Sequence, residues 1–237
     1  MPNPFFQFKQ FSVYHDRCAM KVGSDGVLLG AWANTSGAAR ILDVGTGSGL
    51  IALMLAQRSE AKIHAIDIDA DAVMQAQINC DASPWTERLS VYQADFTQYA
   101  ANNCLTYDLI VSNPPFFNNS LKNPNALRTL ARHADALPHV DLIDNSMRLL
   151  SNVGRIAIIL PVSEGLSCAD YATSKGLFLS RKTWVLPKPN KQPKRLLLEF
   201  SNFESELLED TITIETEHRN VFTAEYMFLL KDYFLKF

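Results

Sequence analysis

Cysteine is scarce: Cys18, Cys80, Cys104 and Cys168 are the only four in 237 residues, far apart and without a Cys-x-x-Cys pair. That spacing argues against a disulfide framework or a cysteine zinc site, so no metal is expected. Long apolar runs are absent too. No stretch reaches the roughly 18 residues of a membrane span. Met1 to Phe11 carries Lys9 and polar residues where a secretory leader needs an unbroken apolar region. A soluble, cytoplasmic chain with no membrane partner is expected. Glycine (10) and proline (11) are too few for a collagen-like or low-complexity chain, and a 47% hydrophobic, 20% charged composition is that of a globular fold. No internal repeat is present. An excess of positive charge is also missing: 22 Lys and Arg stand against 25 Asp and Glu, a net charge of −3 that alone counts against a polyanionic partner.

The distribution of charge says otherwise. Residues Arg181 to Arg195 hold Arg181, Lys182, Lys188, Lys191, Lys194 and Arg195 without an acid, whereas Glu199 to Glu217 hold seven acids without a Lys or Arg. Only the first segment suits a polyanion.

Short apolar runs ending in a turn or an acid, Arg40–Val44, Lys62–Ile68, Leu89–Ala94, Tyr107–Ser112 and Gly154–Leu160, predict buried strands. Between them Leu50–Gln57, Ala70–Cys80 and Leu137–Leu150 carry helical patterns. Such alternation predicts a doubly wound, mostly parallel α/β sheet with helices on both faces. Trp184–Leu186 and Leu196–Phe200 flank Pro187–Lys194 and read as antiparallel strands around a long hairpin loop, closing one edge of the sheet. Met20–Ala33 predicts a loop and then a helix starting at Ser24 or Asp25, either of which can cap it. Residues 1–33 thus read as a short N-terminal extension packed on a core of residues 34–237, one domain overall. Ala224–Phe237 has Tyr226, Leu229, Leu230, Tyr233 and Phe234 at helical spacing and reads as core.

Asp43-Val44-Gly45-Thr46-Gly47-Ser48-Gly49 follows a strand and opens a helix, where glycines permit a tight turn and close approach of a ligand to backbone N–H groups. A dinucleotide site needs Gly or Ala three residues after Gly47, and Leu50 stands there. Asp67 closes the second strand 22 residues after Gly45, the spacing at which a carboxylate reaches a ribose diol. Asp69 is expected to cap the next helix. Asp95 closes the third strand, where a surface acid is the bland alternative.

The most informative stretch is Ser112-Asn113-Pro114-Pro115-Phe116. Two prolines force a rigid, extended exit from the strand and leave carbonyls free to accept. Asn113 offers a side-chain oxygen, Pro114 a carbonyl and Phe116 a flat apolar face, a receptor for a planar amino group. If the Asp43 and Ser112 strands are first and fourth, they are neighbours at the point where strand order reverses, and both motifs flank one crevice.

The glycine loop resembles the S-adenosylmethionine loop of class I methyltransferases. Phe8-Lys9-Gln10-Phe11, His15 to Gly23, Asp25 to Ala33, Leu53 to Arg58, Ser83-Pro84-Trp85 and Glu225 to Leu235 resemble the bacterial valine-tRNA adenine-N6 methyltransferases along nearly the whole chain. The resemblance implies a Rossmann-like, seven-stranded sheet and S-adenosylmethionine as donor. It implies methylation of adenosine 37, next to the anticodon of a valine tRNA. It also implies that Asp95 accepts from the adenine amino group of the cofactor. The expected cofactor set is Asp25, Asp43, Gly45, Gly47, Gly49, Asp67 and Asp95, and the catalytic set Asn113, Pro114, Pro115 and Phe116.

Phe116 stands where members of the family often carry Tyr. Phe there is also similar to guanine-N2 methyltransferases of ribosomal RNA, and a glutamine-N5 methyltransferase of release factors shares the same turn. The tRNA anticodon stem-loop is the expected partner, with no DNA. Its phosphates are expected to meet Lys188, Lys191, Lys194 and Arg195, and also Lys122, Arg128 and Arg132 or Lys9, Arg17 and Lys21. Leu121–His133 reads as a segment that orders with RNA.

Overall fold

The computed structural model describes residues 4–18, 21–115 and 139–237. A short antiparallel pair, β1 (Phe5–Gln7) and β2 (Ser12–Tyr14), precedes helix α1 (Ser24–Trp32). The central elements then alternate: β3 (Arg40–Val44), α2 (Leu50–Gln57), β4 (Lys62–Asp67), α3 (Ala70–Asp81), β5 (Leu89–Gln93), α4 (Phe96–Asn102) and β6 (Tyr107–Ser112). After them come α5 (His139–Leu149), β7 (Leu150–Pro161), α6 (Val162–Ser174), β8 (Phe178–Leu186), β9 (Arg195–Ser201), β10 (Leu208–Thr213) and α7 (Ala224–Leu230).

Eight strands form the main sheet in the order β10-β8-β9-β7-β6-β3-β4-β5. All neighbours are parallel except that β9 runs against both β7 and β8. The doubly wound reading holds, with one strand more than the expected seven. The addition is β10, parallel to β8, so the hairpin does not close the edge. Its sequence, LEDTIT, carries two acids and is exposed over its first four residues, which hides it from an apolar pattern.

Adjacent residues on the central strands supply opposite faces of the sheet. Ile41, Leu109 and Val111 join the core under α1, α2 and α7, while Leu42, Ile110, Ile156 and Ile158 join the core under α5 and α6. Helix α2 is buried from Leu50 to Ala56, which accounts for its apolar sequence all round. Each such Leu contributes roughly 1.5–3 kcal/mol.

The first residues are bound into this body. Asn79 of α3 accepts from the Tyr14 N–H at 2.9 Å and donates to the Tyr14 carbonyl at 2.8 Å, holding β2. Trp32 donates to Thr183 Oγ1 at 2.8 Å, and the Arg181 guanidinium lies 4.4 Å from the Trp32 ring centre. Lys9 donates its backbone N–H to the Tyr233 carbonyl and its ammonium to the Phe237 carbonyl, both at 2.8 Å. Phe6 meets Phe234, and the Tyr233 hydroxyl donates to the Met54 carbonyl. Among the described residues, no helix is long and apolar enough to cross a membrane.

Candidate active site

The strand order brings the two central motifs together. β3 lies beside β6 with Val44 opposite Ser112, so the glycine loop and Asn113 leave the sheet side by side at its carboxyl edge. The Ser112 hydroxyl donates to the Val44 carbonyl at 2.8 Å and pins the two strand ends. This is the point where the chain order turns, β4 and β5 on one side and β7 on the other.

Gly45, Gly47 and Gly49 have φ of 72°, 56° and 80°, conformations that other residues adopt only with strain. A methyl group built on Gly45 or Gly47 would meet nothing within 4 Å, so both face open space. Gly49 is the N-cap of α2, and its Cβ would press on Ala76 at 3.3 Å. The Asn79 amide donates to the Ser48 carbonyl at 2.8 Å and braces the loop from α3.

Two carboxylates frame it. Asp67 Oδ2 accepts from the Gly47 N–H at 2.8 Å and Oδ1 from the Asp69 N–H at 3.0 Å. Burial pushes its carboxyl above the ordinary range, partly offset by those hydrogen bonds. Asp43 is fully buried. Its Oδ2 accepts from Thr46 Oγ1 at 2.7 Å and the Ala52 N–H at 3.2 Å, while burial raises its pKa to about 7. Asp43 Oδ1 and Asn113 Oδ1 are buried with no hydrogen-bond partner among the described residues. An unpaired buried acceptor costs about 1–3 kcal/mol, and these two adjoin the glycine loop and the turn beside it. A ligand with an ammonium group and a sulfonium suits an acceptor of this kind at Asp43, and S-adenosylmethionine carries both.

The other expected acids each make a contact within the chain. Asp69 caps α3 as expected, accepting from the Asp71 N–H. Asp95 caps α4 by accepting from the Gln98 N–H at 2.9 Å, a helix missed in the sequence. Gly23, and neither Ser24 nor Asp25, is the N-cap of α1. Asp25 Oδ2 accepts from Arg195 Nε at 2.7 Å.

The basic hairpin is also less free than its sequence suggests. The acidic segment folds back along it, pairing Lys182 with Glu209 at 3.0 Å, Arg181 with Asp210 at 3.5 Å and Lys188 with Glu215 at 3.5 Å. With Arg195 held by Asp25, Lys191 and Lys194 are the hairpin cations without a carboxylate partner among the described residues. Phe116, Lys122, Arg128, Arg132 and the Leu121–His133 segment lie outside the described residues. Asn79 and Ser112 were missed as supports. Gln75 and Asn79 are buried polar residues one turn apart on α3, a spacing that could have pointed to Asn79.

A Rossmann-like sheet with a three-glycine loop beside an Asn-Pro-Pro turn at the reversal of strand order defines the class: an S-adenosylmethionine-dependent methyltransferase of class I. Residues 20–159 match the model of the methyltransferase small domain family. The chain belongs to the tRNA1(Val) (adenine(37)-N6)-methyltransferase family, being 51% identical to the protein of that name from Parabacteroides distasonis over 100% of both chains. It is 49% identical to the Phocaeicola vulgatus protein of the same name over 99% of each. A solved structure from Agrobacterium tumefaciens, described as a predicted O-methyltransferase, covers 88% of this chain and 96% of its own. Its TM-score is 0.68 at 18% identity, a likeness of fold alone.

Proposed function

We propose that this protein transfers a methyl group from S-adenosylmethionine to the exocyclic N6 of adenosine 37, next to the anticodon of a valine tRNA. The observation that carries the chemistry is Asn113 Oδ1, buried and without a hydrogen-bond partner among the described residues, beside the open glycine loop. Full-length similarity to relatives named for that reaction supports the choice of substrate.

Asp43, the Gly45–Gly49 loop and Asp67 would hold the donor, with Asp43 Oδ1 toward positive charge and Asp67 toward the ribose. When bound, S-adenosylmethionine supplies an electrophilic methyl group on a sulfonium centre. An exocyclic amine is a poor nucleophile because its lone pair is delocalised into the ring. Asn113 Oδ1 and the Pro114 carbonyl accept its two N–H hydrogens and favour the more tetrahedral nitrogen of the transition state. Pro114 and Pro115 keep those acceptors fixed, and Phe116 would stack on the base. On gaining the methyl group in exchange for one hydrogen, the amine would give up one N–H proton to solvent. Neither Asn113 nor Pro114 can take that proton, so their contribution is orientation and electrostatics. The anticodon stem-loop would reach the crevice past Lys191 and Lys194, and an anticodon-loop base is among the easier ones to extrude.

Labelled S-adenosylmethionine with total tRNA, ribosomal RNA and release factor, followed by nucleoside analysis, tests this reading. N6-methyladenosine in the tRNA fraction is the expected product. N2-methylguanosine in ribosomal RNA, or label in the release factor, refutes it.

A further inference from the structure

We propose that residues 14–18 form a wall of the S-adenosylmethionine site, hung on Gln75 and Asn79 of α3 and standing beside the ribose end of the donor. The inference rests on the donor reading of the glycine loop and Asp67 given above. It adds to that site a segment that comes before the first strand of the main sheet.

Two buried amides of α3 set the path of the segment. Gln75 and Asn79 are each only 1% exposed, and both hold its backbone, a tie that does not depend on its side chains. Asn79 grips both backbone groups of Tyr14, and Gln75 Oε1 accepts from the Arg17 N–H at 3.0 Å. From Tyr14 to Arg17 the chain therefore travels from Asn79 to Gln75, toward the N-terminus of α3. That end begins at Ala70 and is capped by Asp69, just after Asp67. Cys18 comes next in the same direction and is half-buried. Burial pushes its thiol up to about 12, helped first by the carboxylates of Asp67 and Asp69, which places it at that end.

The same Asn79 amide fixes the distance to the glycine loop. Its nitrogen donates to the Tyr14 carbonyl and to the Ser48 carbonyl, each at 2.8 Å, so the two oxygens are less than two hydrogen-bond lengths apart. One end of the segment thus lies against the loop, and the other reaches Asp67, which accepts from the Gly47 N–H. Gly45 and Gly47 face open space, so the loop is open above while the segment stands along its side. A wall there keeps water from the bonds between the Asp67 carboxylate and the ribose hydroxyls, which are stronger away from solvent. Its effect belongs to donor binding and not to the methyl-transfer step, which makes Gln75 and Asn79 positioning residues.

The test uses S-adenosylhomocysteine, the donor without its methyl group, which binds without reacting. The Tyr14 and Arg17 N–H groups exchange with solvent when their bonds to Asn79 and Gln75 open. Saturating probe is expected to slow hydrogen exchange over residues 14–18 at least about fivefold, with no matching change in β10 at the far edge of the sheet. No slowing, or equal slowing in β10, overturns the wall. Gln75→Met keeps the bulk and removes the acceptor. It should weaken calorimetric affinity for the probe about fivefold, the usual net worth of one hydrogen bond, and raise the donor KM alike. Its kcat at saturating donor should stay within about twofold of the parent. Gln75→Glu keeps an oxygen for the Arg17 N–H and should bind close to the parent. Unchanged affinity in Gln75→Met, or an equal loss in Gln75→Glu, overturns the proposal. If Gln75→Met does not fold, the exchange measurement on the parent chain decides alone. A parent chain with no affinity for the probe overturns the donor reading, and the wall with it.

Discussion

Asp43→Asn turns the buried carboxylate at the head of the glycine loop into a measurable pH dependence. The carboxyl rises from its ordinary 3.8 to about 7 in the folded chain, chiefly through burial. A raised acid pKa means that the folded state binds the proton more tightly than the unfolded state, so its contribution to stability falls as pH rises between those two values. The difference, about 3 units at 1.36 kcal/mol each, sets a ceiling of about 4 kcal/mol on the cost of ionised Asp43 above neutrality. Between pH 5 and pH 8 about 2 to 3 kcal/mol of that cost should develop. Asn keeps an acceptor for Thr46 and Ala52 and cannot ionise, at the expense of an unsatisfied amide worth about 1–3 kcal/mol. Urea unfolding of both proteins at pH 5, 6, 7 and 8 gives the difference directly. Asp43→Asn should gain on the parent by about 2 to 3 kcal/mol across that range. Parallel stability curves would show that Asp43 is ionised throughout or accommodated in some other way, and the reasoning from burial would fail.

Asn113→Ala should lower turnover at least about a hundredfold while calorimetric affinity for S-adenosylmethionine stays within a few-fold, since its oxygen acts on the target amine in the transition state. Because that oxygen has no partner among the described residues, the melting temperature should not fall, and a lowered one would mean Asn113 supports the fold. Asp67→Ala should weaken cofactor binding by about 1.5–3 kcal/mol, the usual value of charge-assisted hydrogen bonds, and unchanged affinity would remove Asp67 from the site. Lys191→Gln should reduce the slope of log K for tRNA against log salt by about 0.7 to 0.9. Lys188→Gln, whose cation already faces Glu215, should leave that slope in place, and equal effects of the two would contradict the pairing.

What the sequence revealed follows from where each signal is written. Arg40–Val44, Tyr107–Ser112 and Leu50–Gln57 lie deep in the body, so local apolar runs mark their bounds to the residue. The neighbourhood of loop and Asn-Pro-Pro turn was legible because both motifs end strands of one alternating pattern. Helix α6 was missed because its burial is confined to Gly165, Cys168 and Ala172, small residues among polar ones. Asp95 has no apolar periodicity after it strong enough to announce α4. Charge partners were the least visible. Asp25 and Arg195 are 170 positions apart, and a run of cations shows nothing of the acids that a later strand lays beside it.

The clasp between the two ends of the described chain sets an order in time. Lys9 reaches the Phe237 carbonyl 228 positions later, and Phe8, almost wholly buried, has Phe234 in its cover. A ribosome adding about 5 to 20 residues per second needs about ten to fifty seconds to make that stretch. Through that interval Phe6 and Phe8 wait without Phe234, and the Met54 carbonyl of α2 lacks the Tyr233 hydroxyl. The aromatic rings around β1 are therefore fully covered only once Phe234 has been made. During synthesis the newborn protein carries an aromatic surface that only its own late residues can close.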